Sequence, residues 1–130
     1  MALSLIWESD LNFHTGPDGP ALKLASSDPD RYSPMQLLAH AIMGCMAMDV
    51  VHILQKGRHD LKGMTVEFGS ERAPEPPKRY TKVHLTFNIT GNVPADAVER
   101  AIVLSHEKYC SVSNTLAKDL GFTTSVNISR

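Results

Sequence analysis

The chain has 130 residues, 42% of them hydrophobic and 21% charged, and a net charge of −1 with its six histidines neutral. That length suits one domain spanning 1–130, with a core large enough to fold without disulfides or metal. The near-neutral balance offers no basic field to nucleic acid or to an acidic membrane surface.

The opening MALSLIWESD lacks a basic stretch followed by a long apolar core, so it does not read as a secretory signal. Leu3, Leu5, Trp7, Leu11 and Phe13 alternate with mostly polar neighbours, the period of a strand. Gly16-Pro17-Asp18-Gly19 fits a type I turn, and Ala21 to Ala25 returns as a second strand. After the polar loop Ser27 to Ser33, Ser33 is placed to cap a helix and Pro34 to occupy its first turn.

That helix is expected from Pro34 to about Lys56, closed by Gly57. Its apolar residues cover nearly the whole circumference, which predicts a central, buried helix. Its longest uncharged apolar run, Ala41 to Met48, is too short to cross a bilayer. The expected location is the cytoplasm, where thiols stay reduced.

Met64, Val66 and Phe68 alternate with polar residues, as do Val83, Leu85, Phe87 and Ile89. Pro74-Glu75-Pro76-Pro77-Lys78 separates them, so the region reads as a long hairpin with one oily face turned to the central helix. Pro94 and Asp96 open a second helix whose inward stripe is Val98, Ala101, Ile102, Ser105 and Tyr109. Ser111 or Ser113 is placed to cap a short third helix stopped by Gly121, and Phe122 to Ile128 alternates as a last strand. The order of elements is that of an α+β fold.

Two cysteines carry the candidate chemistry. Cys45 lies in the middle of LLAHAIMGCMAMDVVHIL, and Cys110 lies at a helix junction in YCSVSNT. Cys45 reads either as an inert small filler or as a thiol reached by an apolar substrate. Helix N–H groups after Cys110 would favour a thiolate there. If folding joins them, one thiolate can attack a hydroperoxide O–O bond and the other can close a disulfide on the resulting sulfenic acid.

Burial opposes the thiolate at Cys45, and Asp49, one turn on, has the wrong sign, so a cation is expected nearby. Asp49 and His52 read first as a polar pair with each other. By strand parity Arg72 falls in step with Met64 and Val66, and Arg79 with Val83 and Leu85, if no bulge shifts the register. Cys45, Asp49 and His52 also share a helical stripe that, with His40 or Cys110, would approach a zinc site. The compact H-E-x-x-H motif is absent, and no metal or other cofactor is expected.

SPMQLLAHAIMGCMAMDVVHILQK (Ser33 to Lys56), the proline-broken hairpin and HEKYCSVSNTL (His106 to Leu116) together resemble the OsmC/Ohr superfamily of osmotically inducible and organic hydroperoxide resistance proteins, in its plain OsmC-like branch. The resemblance implies a curved antiparallel sheet wrapped around a long buried helix, in an intertwined homodimer. It also implies thiol-dependent reduction of organic hydroperoxides without metal or haem, recycled by a dithiol reductant of lipoyl or thioredoxin type. Carried over by position, Cys45 matches the peroxidatic and Cys110 the resolving cysteine. The hydroperoxide-reducing branches hold a catalytic arginine with a glutamate placed where this chain has Met35, followed by Gln36, and residues 1–30 contain no arginine. Arg72 and Arg79 are therefore the expected substitutes. The alternative is a dimeric protein that binds an apolar or thiol-bearing small molecule with little turnover.

Overall fold

The computed structural model describes residues 2–130, in which the chain forms two compact units, one up to His40 and one from Ala41 to Arg130. In the first unit, β1 (Leu5–Ser9), β2 (Asn12–Thr15) and β3 (Lys23–Leu24) form an antiparallel sheet in that order. The single strand expected up to Phe13 is therefore two. The chain folds back at Asp10, whose φ of 48° is left-handed and whose carbonyl accepts a 2.8 Å hydrogen bond from Trp7 Nε1. Arg31 forks onto Glu8 at 2.9 and 3.1 Å. The Arg31 hydrogen bond, with a second from His14, holds the Glu8 carboxyl down to about 2 from its ordinary 4.5.

Helix α1 (Pro34–Lys56) starts as predicted. Ser33 Oγ accepts from the Gln36 N–H at 3.1 Å, while Gln36 Oε1 accepts from the Ser33 N–H at 2.9 Å, a reciprocal capping box. Gln36 thus has a local structural job. Ser33→Ala should cost about 1 kcal/mol of stability, read as a lower urea midpoint at unchanged slope. The helix ends differently from expectation. Arg58, not Gly57, takes the left-handed position, with φ 59°. Its N–H reaches Gln55 O at 2.9 Å and the His59 N–H reaches Leu54 O at 3.0 Å, the paired bonds of a Schellman closure.

The second unit holds β4 (Asp60–Arg72) and β5 (Tyr80–Asn92), then α2 (Ala95–Leu104), a π-helical turn (Ser105–Tyr109), α3 (Ser111–Thr115) and β6 (Gly121–Ser129). β4 and β5 pair antiparallel as the expected hairpin, with Met64 opposite Ile89 and Val66 opposite Phe87. β6 pairs with the other edge of β5 in parallel, Val126 beside Phe87. The sheet is therefore mixed, not the antiparallel one expected. Two helices and the π turn separate β5 from β6, the long connection a parallel pair needs.

The core of this unit follows from periodicity. Val83, Leu85, Phe87 and Ile89 on β5 are at most 1% exposed. So are Ile42, Met46, Val50 and Leu54, which recur every fourth residue along α1. Each such side chain is worth roughly 1.5–3 kcal/mol on full burial. The remaining apolar face of α1 is open, and Met48 is 74% exposed. Within one chain α1 therefore buries a stripe rather than its whole circumference. By length and apolarity alone, this helix passes as a membrane span, against the expectation drawn from its shorter uncharged run.

Candidate functional site

The π turn decides which residue points inward after α2. Ala97, Val98, Ala101, Ile102 and Ser105 are buried at ordinary helical spacing. An α-helix would bring Tyr109 inward next. The wider π turn advances the phase by one residue, so Tyr109 is 54% exposed and Cys110 is fully buried. The bond that defines the turn runs from the Cys110 N–H to Ser105 O at 2.7 Å. Cys110 then caps α3, its Sγ accepting from the Ser113 N–H at 3.3 Å. Neither Ser111 nor Ser113 takes the capping position expected of it, and α3 ends at Thr115, with Leu116 as its C-cap, rather than running on to Gly121.

This junction meets α1 at Cys45. Cys45 Sγ lies 4.0 Å from Ser111 Oγ and interacts with the Cys110 thiol; both cysteines are free. Burial pushes the Cys45 thiol up, but the Val112 N–H, the Cys110 thiol and the Ser111 hydroxyl outweigh it, and the net displacement is downward in spite of the Asp49 charge. Cys110 moves the opposite way. Burial dominates, and the neighbouring Cys45 adds to it, over the opposing bonds from Ser113. The helix start after Cys110 was expected to favour a thiolate there. Burial reverses that sign, and the group that gains thiolate character is Cys45.

The arginines lie elsewhere in the chain. Arg72 Nε donates to Lys78 O at 2.8 Å across the hairpin tip. Arg79 pairs with Asp119, Nη2 to Oδ2, at 3.0 Å. The register shifts between Glu71 and Arg72, so Arg72 faces Tyr80. That bulge removes the parity that put Arg79 in step with Val83. No arginine is among the groups that displace the Cys45 thiol.

Asp49 accepts a 2.8 Å hydrogen bond from Ser105 Oγ, whereas His52 is exposed, so the Asp49–His52 pair gives way to an Asp49–Ser105 one. Among the described residues no group of three or more His, Cys, Asp or Glu side chains is arranged to hold a metal ion. Sequence reasoning missed Val112, which acts through its backbone, and Ser111 as a neighbour of Cys45. The only available signal for either was the polar run after Cys110.

On the open side of α1, Ala47, Met48, Val51, His52 and Gln55 together with Met64 and Val66 of β4 line an open, mostly apolar groove of about 490 Å³.

The family model described as OsmC-like protein matches residues 27–125. Protein YhfA of Escherichia coli K12 is 46% identical over 97 residues, which are 74% of this chain and 72% of that protein. A hypothetical protein from Aquifex aeolicus has a solved structure that superposes with a TM-score of 0.86 at 27% identity, covering 99% of this chain and 97% of the other. A solved organic hydroperoxide resistance protein OsmC from Legionella pneumophila superposes with a TM-score of 0.74 at 21% identity, covering 97% and 95%, and so shares the fold.

Proposed function

Because the chain belongs to the OsmC-like protein family, we propose that it is a thiol-dependent peroxidase that reduces organic hydroperoxides with Cys45 as peroxidatic and Cys110 as resolving cysteine. One observation carries the reading: two free thiols from distant parts of the sequence interact, the accessible one displaced towards thiolate and the buried one towards thiol. The Legionella protein's description as an organic hydroperoxide resistance protein supports the substrate class.

The steps follow from that asymmetry. The Cys45 thiolate attacks the hydroperoxide; an S–O bond forms, the O–O bond breaks, and the alkoxide leaves as alcohol after taking a proton. Cys45, now oxidised by two electrons, is a sulfenic acid. The Cys110 sulfur then attacks Cys45; an S–S bond forms, the S–O bond breaks, and hydroxide leaves with the Cys110 proton as water. A dithiol of lipoyl or thioredoxin type returns both thiols by exchange and becomes a disulfide itself. The Val112 N–H and Ser111 hydroxyl supply the stabilisation first sought from Arg72 and Arg79. The cytoplasm is the compartment that keeps the pair reduced between cycles.

Reduced protein treated with one equivalent of cumene hydroperoxide should form a Cys45–Cys110 disulfide and release cumyl alcohol, both read by mass spectrometry. Protein that stays reduced, with peroxide unconsumed, would favour the binding-protein alternative, to which the apolar groove between α1 and β4 lends itself.

The working unit in this reading is a homodimer. The open face of α1, with Met48 and Val51 on the surface of the groove, is apolar surface that a second copy would cover. Sedimentation equilibrium should return twice the mass of 14.3 kDa; a single-chain mass at micromolar protein would refute the dimer.

A further inference from the structure

Asp49 sits badly for the reaction just described. Its charge acts on Cys45 against the thiolate. It is also half-buried in an otherwise apolar stretch of α1, where a carboxylate costs free energy unless it is hydrogen-bonded. Its partner is Ser105, completely buried, whose hydroxyl donates to Asp49 Oδ2 at 2.8 Å. The same Ser105 accepts the Cys110 N–H through its carbonyl at 2.7 Å. On the far side, Asn114 Nδ2 donates to Cys110 O at 2.8 Å and to His106 O at 3.0 Å.

We propose that Asp49 and Ser105 are positioning residues, a two-bond strut from α1 through the π turn to the Cys110 amide that fixes where Cys110 stands relative to Cys45. This role rests on the two-cysteine reading above. The strut serves the second step: Cys110 must reach the Cys45 sulfenic sulfur before a second hydroperoxide does, and displacement by about 1 Å can cost two orders of magnitude. The charge of Asp49 hinders the first step, while its oxygen serves the second by holding Ser105.

Charge and strut separate by mutation. Asp49→Asn keeps an acceptor for the Ser105 hydroxyl and removes the charge. Asp49→Ala removes both, and Ser105→Ala removes the strut alone. After one equivalent of cumene hydroperoxide, quenched samples are divided by intact mass into dimedone-trapped sulfenic acid and disulfide. Asp49→Ala and Ser105→Ala should close the disulfide roughly 10–100-fold more slowly than the wild type and accumulate sulfinic acid at excess peroxide. Asp49→Asn should close at the wild-type rate, while its pH profile for Cys45 alkylation moves to lower pH. Cys110 and Asp49 are the titratable groups acting on Cys45, so that shift isolates the charge.

Equal closure rates in wild type, Asp49→Ala and Asp49→Asn overturn the strut, and this pair decides the matter even if Ser105→Ala does not fold. A wild-type protein that makes no disulfide at all overturns the two-cysteine reading and the strut with it.

Discussion

Cys45→Ser should reduce hydroperoxide consumption to the level of buffer alone, while Cys110→Ser should keep the first turnover and lose the later ones. A serine hydroxyl stays protonated at neutral pH and has no sulfenic state, so the S–O bond cannot form at position 45. Serine at 110 leaves the first attack in place, because the Val112 N–H and the Ser111 hydroxyl still face Cys45. What disappears is closure, so Cys110→Ser should accumulate sulfenic and then sulfinic acid. The pH dependence follows from the two opposite displacements. Iodoacetamide labelling of Cys45 should be half-maximal at a lower pH than labelling of a free thiol, since its thiolate is favoured. Cys110, raised and fully buried, should label only at higher pH and far more slowly. In Cys110→Ser the Cys45 midpoint should rise, because the Cys110 thiol is one of the groups that lowers it. A midpoint for Cys45 at or above that of a free thiol would sink the assignment of the nucleophile, whatever the steady-state rates show.

Much of this was legible in the sequence because it is periodic. Alternation located both arms of the hairpin and their oily face, and the Ser33-Pro34 step located the start of α1. The two cysteines stood out by type and context, although no local rule says that Cys45 and Cys110 meet. Three of the failures share a cause, since each is a shift of phase by one residue. The π turn inserts one position after Ser105 and turns Cys110 inward in place of Tyr109. The bulge at Glu71/Arg72 does the same to the hairpin and takes Arg79 out of step with Val83. Arg58 rather than Gly57 carries the left-handed turn, one place later than the glycine rule puts it. Such single insertions are made by individual hydrogen bonds, here Cys110 N–H to Ser105 O and Thr81 Oγ1 to Glu71 O, which leave no periodic trace in the chain. The parallel pairing of β6 belongs to a different kind of information. An alternating strand reads the same in either direction, and only the connection decides which edge of β5 it joins.

Gly91→Ala should be the most damaging single methyl addition in the hairpin. Gly91 lies near the end of β5 opposite Leu61, with φ 136°, a backbone region that side chains rarely adopt. A Cβ built there would collide with the carbonyl oxygen of Asp60 and stand 3.0 Å from the Lys62 nitrogen. Both are backbone atoms of β4, beside the bulge between Leu61 and Gly63, so no side chain can swing aside. Strain at such a φ costs about 1–3 kcal/mol, and forcing packed elements apart costs a further ~1–3 kcal/mol. A loss of about 2–6 kcal/mol is therefore expected, a large share of the roughly 5–15 kcal/mol that holds a domain of this size together. The urea midpoint should fall steeply with little change in slope. Gly69→Ala provides the contrast within the same hairpin. Its added methyl would meet only His84, at 3.8 and 4.0 Å, ordinary contact distances. That substitution should be neutral or stabilising by about 0.5 kcal/mol, because it restricts the unfolded chain without straining the folded one. If both alanines behaved alike, the left-handed backbone at Gly91 and the close approach of β4 would be wrong, and with them the register that carries Met64 and Val66 to the groove along α1.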